Sequence, residues 1–205
     1  MKRWIAVMVL MVGVAGVRQA NAQESAAGPG TVNVTVIPGG AAFFVEGKDS
    51  KVPSFANYGL GAGVDVNFNR FVGVEAEVTG ALGVTQNLQF TSGTVNAKTP
   101  NLLNYSGNLV VSAANHSAVV PYVTGGVGGL TVFNQVAVGI AQNQTFLTGN
   151  VGGGVKWLYG SGRWGLRGDY RFVAVHADDQ APSFFGRETR YGHRIYGGVV
   201  INAVR

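Results

Sequence analysis

NYGLGAGVDVNFNRFVGVEAEVTGAL, residues 57–82, decides how the rest of this chain is read. It holds two runs of period 2 joined at Asn69-Arg70. In the first, Tyr58, Leu60, Ala62, Val64 and Val66 share one face, while Gly59, Gly61, Gly63, Asp65 and Asn67 share the other. In the second, Val72, Val74, Ala76, Val78 and Leu82 oppose Gly73, Glu75, Glu77 and Thr79. Successive side chains alternate across a strand, so each run has one apolar face and one small or charged face. The apolar set from Tyr58 to Val66 spans nine residues, the length of a tilted strand that crosses a bilayer. The stretch predicts a transmembrane β-hairpin.

Composition agrees. Among 205 residues only 12% are charged, about half the ~25% of soluble globular domains. Glycine is abundant at 32 and mean hydropathy is +0.19, yet no long apolar run exists beyond the first 20 residues. A membrane barrel reconciles a sparse charged surface with the lack of a spanning helix. With no cysteine, disulfide frameworks and thiolate metal sites are excluded. The formal charge of +5 includes Lys2, Arg3 and Arg18 of an expected leader. No Lys/Arg cluster suggests a nucleic-acid partner.

Residues 1–22 read as a secretory signal peptide: Lys2 and Arg3, an apolar segment over 4–17, then the cleavage motif Ala20-Asn21-Ala22. Residues 23–30 read as a short flexible lead, and 31–205 as one barrel domain. The first strand, 31–45, alternates Val32, Val34 and Val36 against Thr31, Asn33 and Thr35, and Pro38-Gly39-Gly40 predicts a bulge or strand end. Beyond the opening hairpin, strands are expected over 102–112, 119–133, 145–159, 164–175 and 189–204. Glycine pairs over 125–129 blur the facing of the fifth. Polar stretches over 46–56, 83–101, 134–144 and 176–188 are read as loops.

That makes eight strands, with short connections after the second, fourth and sixth and longer ones after the others. Such parity matches outer-membrane barrels, with tight periplasmic turns and longer extracellular loops. An even strand count places both termini on the periplasmic side. The expected fold is all-β: an eight-stranded antiparallel up-and-down transmembrane β-barrel in the bacterial outer membrane, exported by the signal peptide.

Charge decides which face meets lipid. The polar faces collect Asp65, Glu75, Glu77 and Asp169 against Lys156, Arg167, Arg171 and Arg194. The lumen of an eight-stranded barrel is only wide enough for side chains to fill it, and buried charges must be paired. This balanced set therefore belongs inside as a salt-bridge plug. Phe68, Phe71, Trp157, Tyr159 and Trp164 fall near the expected turns, where an aromatic girdle meets the membrane interface.

Two segments carry a family resemblance: Pro121-Tyr122-Val123 through Gly129, and residues 152–173, GGGVKWLYGSGRWGLRGDYRFV. With these the chain resembles the small outer-membrane β-barrel family that includes the OmpA transmembrane domain and opacity-type proteins. The second segment is similar to that family's penultimate hairpin, a Gly-rich strand, short turn and R-x-D-Y-R strand. The resemblance covers the whole mature chain and specifies barrel geometry rather than activity. It implies outer-membrane lipid and the barrel-assembly machinery as partners. Family members usually finish on an aromatic residue, whereas this chain ends Ile201-Asn202-Ala203-Val204-Arg205. Either the assembly signal is degenerate here or other residues of the last strand supply it.

Candidate chemistry is thin. His116-Ser117 stands in an expected turn with no carboxylate nearby in sequence, and a nucleophile needs an oriented base. His176, Asp178, Asp179 and Ser183 cluster in the last long loop, with His193 on the following strand. They could form a lipid-facing Ser-His-Asp arrangement, but polar loop residues explain them more simply. Adjacent aspartates without further ligand spacing are poor metal ligands. No enzymatic activity, cofactor or metal is expected. Gln86, Asn87, Gln89, Asn134, Gln142, Asn143 and Gln144 offer uncharged hydrogen-bonding groups on the loops. The expected role is structural, or surface binding and adhesion by a monomer to a ligand the sequence does not name. A narrow ion or solute conduit is the first alternative and an outer-leaflet lipid-modifying enzyme the second.

Overall fold

The computed structural model describes residues 28–45, 52–90, 93–113, 117–159, 163–176 and 189–204. The expected signal peptide, most of the lead, His116, Asp178, Asp179 and Ser183 lie outside the described residues. Among the described residues ten strands form, in chain order β1 (Val32–Phe44), β2 (Phe55–Asn67), β3 (Val72–Gly83), β4 (Thr85–Phe90), β5 (Gly93–Lys98), β6 (Leu102–Ser112), β7 (Val119–Val132), β8 (Gln144–Tyr159), β9 (Trp164–Val175) and β10 (Arg190–Val204). Eight of them close a barrel in the order β1-β2-β3-β6-β7-β8-β9-β10, every neighbouring pair antiparallel. Closure leaves the barrel no free edge, which is what lets strands cross hydrocarbon.

The side-chain alternation of the opening stretch sets the wall. Glu75 and Glu77 are each 2% exposed and face the lumen, whereas Val74 and Val78, at 39% and 51%, face outward. On β7, whose facing the glycine pairs obscured, Val120, Tyr122, Thr124, Leu130 and Val132 point inward. Gly126 and Gly128 share that face: a Cβ on Gly128 would sit 1.9 Å from the Tyr105 carbonyl oxygen, so the β6–β7 wall closes only with glycine there. In β1 the register against both neighbours shifts by one residue around Pro38 and Gly39. This is a β-bulge, and it returns Ala42 and Phe44 to the inside.

Two stretches read as plain loops carry structure. Residues 83–101 contain the hairpin β4–β5, a separate two-stranded sheet. Residues 134–144 contain a single 3₁₀ turn, Val136–Val138. Both fold over the long-loop end of the barrel. Leu88 of β4 and Ile140 after the 3₁₀ turn are fully buried there, packed with Phe44, Phe55, Leu130 and Phe146. The lead ends in a turn held to the wall, with Gly30 N–H donating to Asn67 O at 2.8 Å.

Candidate functional site: a charged lumen under a tied cap

The lumen has two layers. Its middle holds all eight charged residues singled out above. Lys156 Nζ lies 3.0 Å from Asp65 Oδ2. Arg167 contacts Glu75 and reaches Asp169 Oδ2 at 2.8 Å. Arg171 is held by Glu75 Oε1 at 2.6 Å and Asp169 Oδ1 at 2.8 Å. Arg194 pairs with Glu77 Oε1 at 2.7 Å. Every guanidinium meets at least one carboxylate, so desolvation is offset by pairing and hydrogen bonds.

Uncharged partners complete the network, and these escaped sequence reading. Tyr122 donates to Asp169 and accepts from Arg167 Nε at 2.6 Å. Its ring also lies under the Arg167 guanidinium, 4.9 Å away. Tyr196 donates to Glu77. Asn108 donates to Glu75 Oε1 at 3.1 Å and accepts from Asn150 at 2.9 Å. The available signal was parity: Tyr122 is in phase with Val120 and Thr124, and Tyr196 with Arg194. The glycines Gly152 and Gly154, also inward, leave space for the long side chains across the lumen.

Above this layer the lumen is mainly apolar, a departure from the polar interior the charges suggested, although Arg190, Asn57 and Thr148 are also buried at this end. Val173 and Val175 continue the inward parity of Arg171 but join Ala42, Leu102 and Leu130 in one cluster. The cap explains the change: Leu88 and Ile140 exclude water from above, so inward groups here need no charge. Side-chain amides tie the cap down. Gln86 brackets Ala56, donating to its carbonyl at 2.7 Å and accepting from its N–H at 3.1 Å. Gln135 donates to Lys98 O at 2.6 Å, and Asn143 accepts from Asn134 N–H at 2.8 Å. Arg190 lies over the Phe55 ring and donates to Val45 O. Asn87 and Asn96, on the hairpin's outer face, bond to each other at 2.8 Å.

Outside, Phe68, Phe71, Trp157, Tyr159 and Trp164 are all exposed at the short-turn end, with Tyr159 and Trp164 rings 5.2 Å apart. Arg70 stacks over Phe71 at 4.7 Å. A second aromatic band, missed in the sequence, lies toward the long-loop end on β9 and β10: Phe172 stacks on Tyr191, and Tyr170 on His193. His193 is thereby placed on the outward wall, its Nδ1 2.7 Å from the Tyr170 hydroxyl. His176 is exposed just beyond β9, its N–H bonded to Leu147 O at 2.9 Å. Among the described residues no group of three or more His, Cys, Asp or Glu is arranged to hold a metal ion.

An eight-stranded closed barrel with outward aliphatic residues between aromatic bands and a paired ionic core is built for lipid outside and charge inside. The family model described as outer membrane protein beta-barrel domain matches residues 7–191. The chain belongs to that family. The outer membrane barrel fold also relates it to solved structures. Neisserial surface protein A is 13% identical, with a TM-score of 0.58 over 84% of this chain and 96% of that one. The N-terminal β-barrel domain of OprF from Pseudomonas aeruginosa is 12% identical, with a TM-score of 0.53 over 85% and 99%. The attachment invasion locus protein Ail of Yersinia pestis, in complex with a heparin analogue, is 13% identical, with a TM-score of 0.51 over 84% and 99%. At these identities the likeness concerns the fold. A sequence comparison with curated proteins finds no match.

Proposed function

We propose that this outer-membrane barrel is a non-enzymatic surface protein that binds or adheres through its cap, as a monomer with both termini in the periplasm. One observation carries the reading. The lumen is closed by buried ion pairs while the described cap, the β4–β5 hairpin and residues 134–144, is tied down over it, so this cap presents its outer face to a partner. Asn87, Gln89, Thr94 and Asn96 of the hairpin present uncharged donors and acceptors there. Function is often carried by loops held on a rigid scaffold.

The partner chemistry this favours is uncharged and hydrogen-bonding. Ail is described with a heparin analogue, a polyanion. The four long loops of this chain hold Lys48, Lys51, Lys98 and Arg187 against Glu46, Asp49, Asp178, Asp179 and Glu188, so they lack the cationic excess a polyanion needs.

Binding of the purified protein in vesicles to glycan, lipid and host-surface arrays tests the proposal, with variants in which the loops are cut to minimal turns. Binding that disappears on cutting supports it, and binding unchanged after all four cuts overturns it. Stable conductance steps in single-channel recordings would instead favour a conduit. A deacylase or lipase activity lost in both Ser183→Ala and His176→Ala would replace the non-enzymatic reading.

A further inference from the structure

Three features meet at one place in the wall. At the bulge, Ile37 and Pro38 have no ladder partner on β10, and Pro38 and Gly39 have none on β2. Proline brings no N–H to the ladder in any case. On the outward side, Gly39, Gly197 and Gly168 stand side by side across β1, β10 and β9. An open furrow bordered by Tyr58, Leu166 and Val199 runs over Gly39 and Gly197. On the inward side lies a cavity of about 30 Å³ between the ionic layer and the apolar layer, walled by Ile37, Ala42, Leu102, Leu130 and Val173.

Cavity and furrow adjoin at consecutive residues of β1, Ile37 lining the first and Pro38 and Gly39 the second. Leu60 and Ile195, whose side chains face outward, also line the cavity. Its polar edge is Arg194, buried at 8% exposure, whose Nε has no hydrogen-bond partner among the described residues. Groups of the protein leave the apolar side of this space unfilled and the Arg194 Nε at its edge without a partner, while Thr79 and Glu77 bond the rest of that guanidinium. A volume of this size accepts about one water or one methyl-sized group, and its mainly apolar walls favour the methyl.

We infer that this is a lateral lipid site, in which an acyl chain of a bilayer lipid lies in the furrow and its terminal methyl enters the cavity past Pro38–Gly39. Bilayer lipid is the occupant because the furrow lies among the outward aliphatic side chains that hydrocarbon bathes. Entry there meets residues that lack a ladder partner on one neighbouring strand or both. The Tyr58 hydroxyl, donating to Pro38 O at 2.7 Å, acts as the latch. The ionic layer below, beginning with Arg194 and Glu77, sets the depth limit. This inference does not rest on the surface-binding role.

The test uses the full protein in vesicles containing phosphatidylcholine with a photoreactive diazirine at the acyl-chain end, followed by peptide mapping. Adducts are expected on inward Ile37, Ala42 or Leu130 as well as on outward Leu166 and Val199, and not on inward Val120 and Leu158 at the other end of the lumen. Gly197→Leu fills the furrow, in a place where an added Cβ meets nothing closer than 4.0 Å. It should abolish the inward adducts and leave those on Val74. Tyr58→Phe, which opens the latch, should increase the inward adducts. Adducts confined to outward residues, or inward adducts indifferent to both substitutions, would overturn the site.

Discussion

Glu75 Oε1 accepts a hydrogen bond from Arg171 Nη2 at 2.6 Å across the lumen, joining residues 96 positions apart in the chain. Glu75 also holds Arg167, so one carboxylate on β3 restrains two guanidiniums of β9. Removing it leaves two buried cations with only Asp169, Asp65 and Glu77 between them.

Glu75→Ala should therefore destabilise the barrel by about 3–5 kcal/mol, the usual cost of orphaning one side of a buried pair. Urea unfolding in lipid vesicles measures it. The double change Glu75→Ala with Arg171→Met should recover part of the loss, since charge and partner leave together. A loss under ~1 kcal/mol for the single variant would mean that water reaches the network.

Leu88→Ala empties the anchor of the β4–β5 hairpin. A buried leucine truncation costs about 2–5 kcal/mol, and here the loss falls on the cap rather than the wall. Amide exchange and proteolytic cutting over 85–98 should accelerate while the barrel's strand signal in circular dichroism stays unchanged. If exchange accelerates equally in β8 and β9, cap and barrel unfold as one unit.

Two glycines of the β8–β9 pair, one on each face, differ in the room around them. A Cβ on Gly152 would lie 2.0 Å from the Tyr170 carbonyl oxygen, whereas one on Gly168 meets nothing within 4 Å. Gly152→Ala should lower stability by at least ~1–3 kcal/mol through forced backbone shifts, and Gly168→Ala should be nearly neutral. Heat-modifiable electrophoretic mobility of the refolded variants distinguishes them. Equal tolerance would show that the β8–β9 wall is not close-packed.

Val78→Arg places a charge on the outward wall among aliphatic residues. It should cost about 2–4 kcal/mol if this level is the bilayer midplane, against about 0–1 for Phe68→Arg at the short-turn interface. Unfolding titrations of both variants in vesicles report the difference. Equal costs would place the membrane elsewhere along the barrel.

The wall and the charged layer were legible because both are written in period 2. Asp65, Glu75 and Glu77 stand in phase with glycines and out of phase with valines, and Arg167, Asp169 and Arg171 stand out of phase with Leu166, Tyr170 and Phe172, so inward parity follows from the letters alone. The cap was not legible. Its polar residues 83–101 give no sustained alternation, and the hairpin is held by single contacts such as Leu88 and the Gln86–Ala56 bracket. The apolar upper lumen was hidden for a related reason. Over 172–175, Phe-Val-Ala-Val is apolar on both faces, and alternation cannot mark the inside once both sides are greasy.

The ion pairs have a consequence for how the molecule reaches its place. Lys156 of β8 finds its carboxylate on β2, and Arg167 of β9, besides Asp169 on its own strand, finds one on β3, on the far side of the closed cylinder. Until the cylinder shuts, a half-inserted sheet would expose these side chains to hydrocarbon, where lone charges are costly. Stepwise entry of strands is therefore disfavoured, and biogenesis should be concerted: closure and insertion are one event, with the charges neutralising each other as the last strand meets the first.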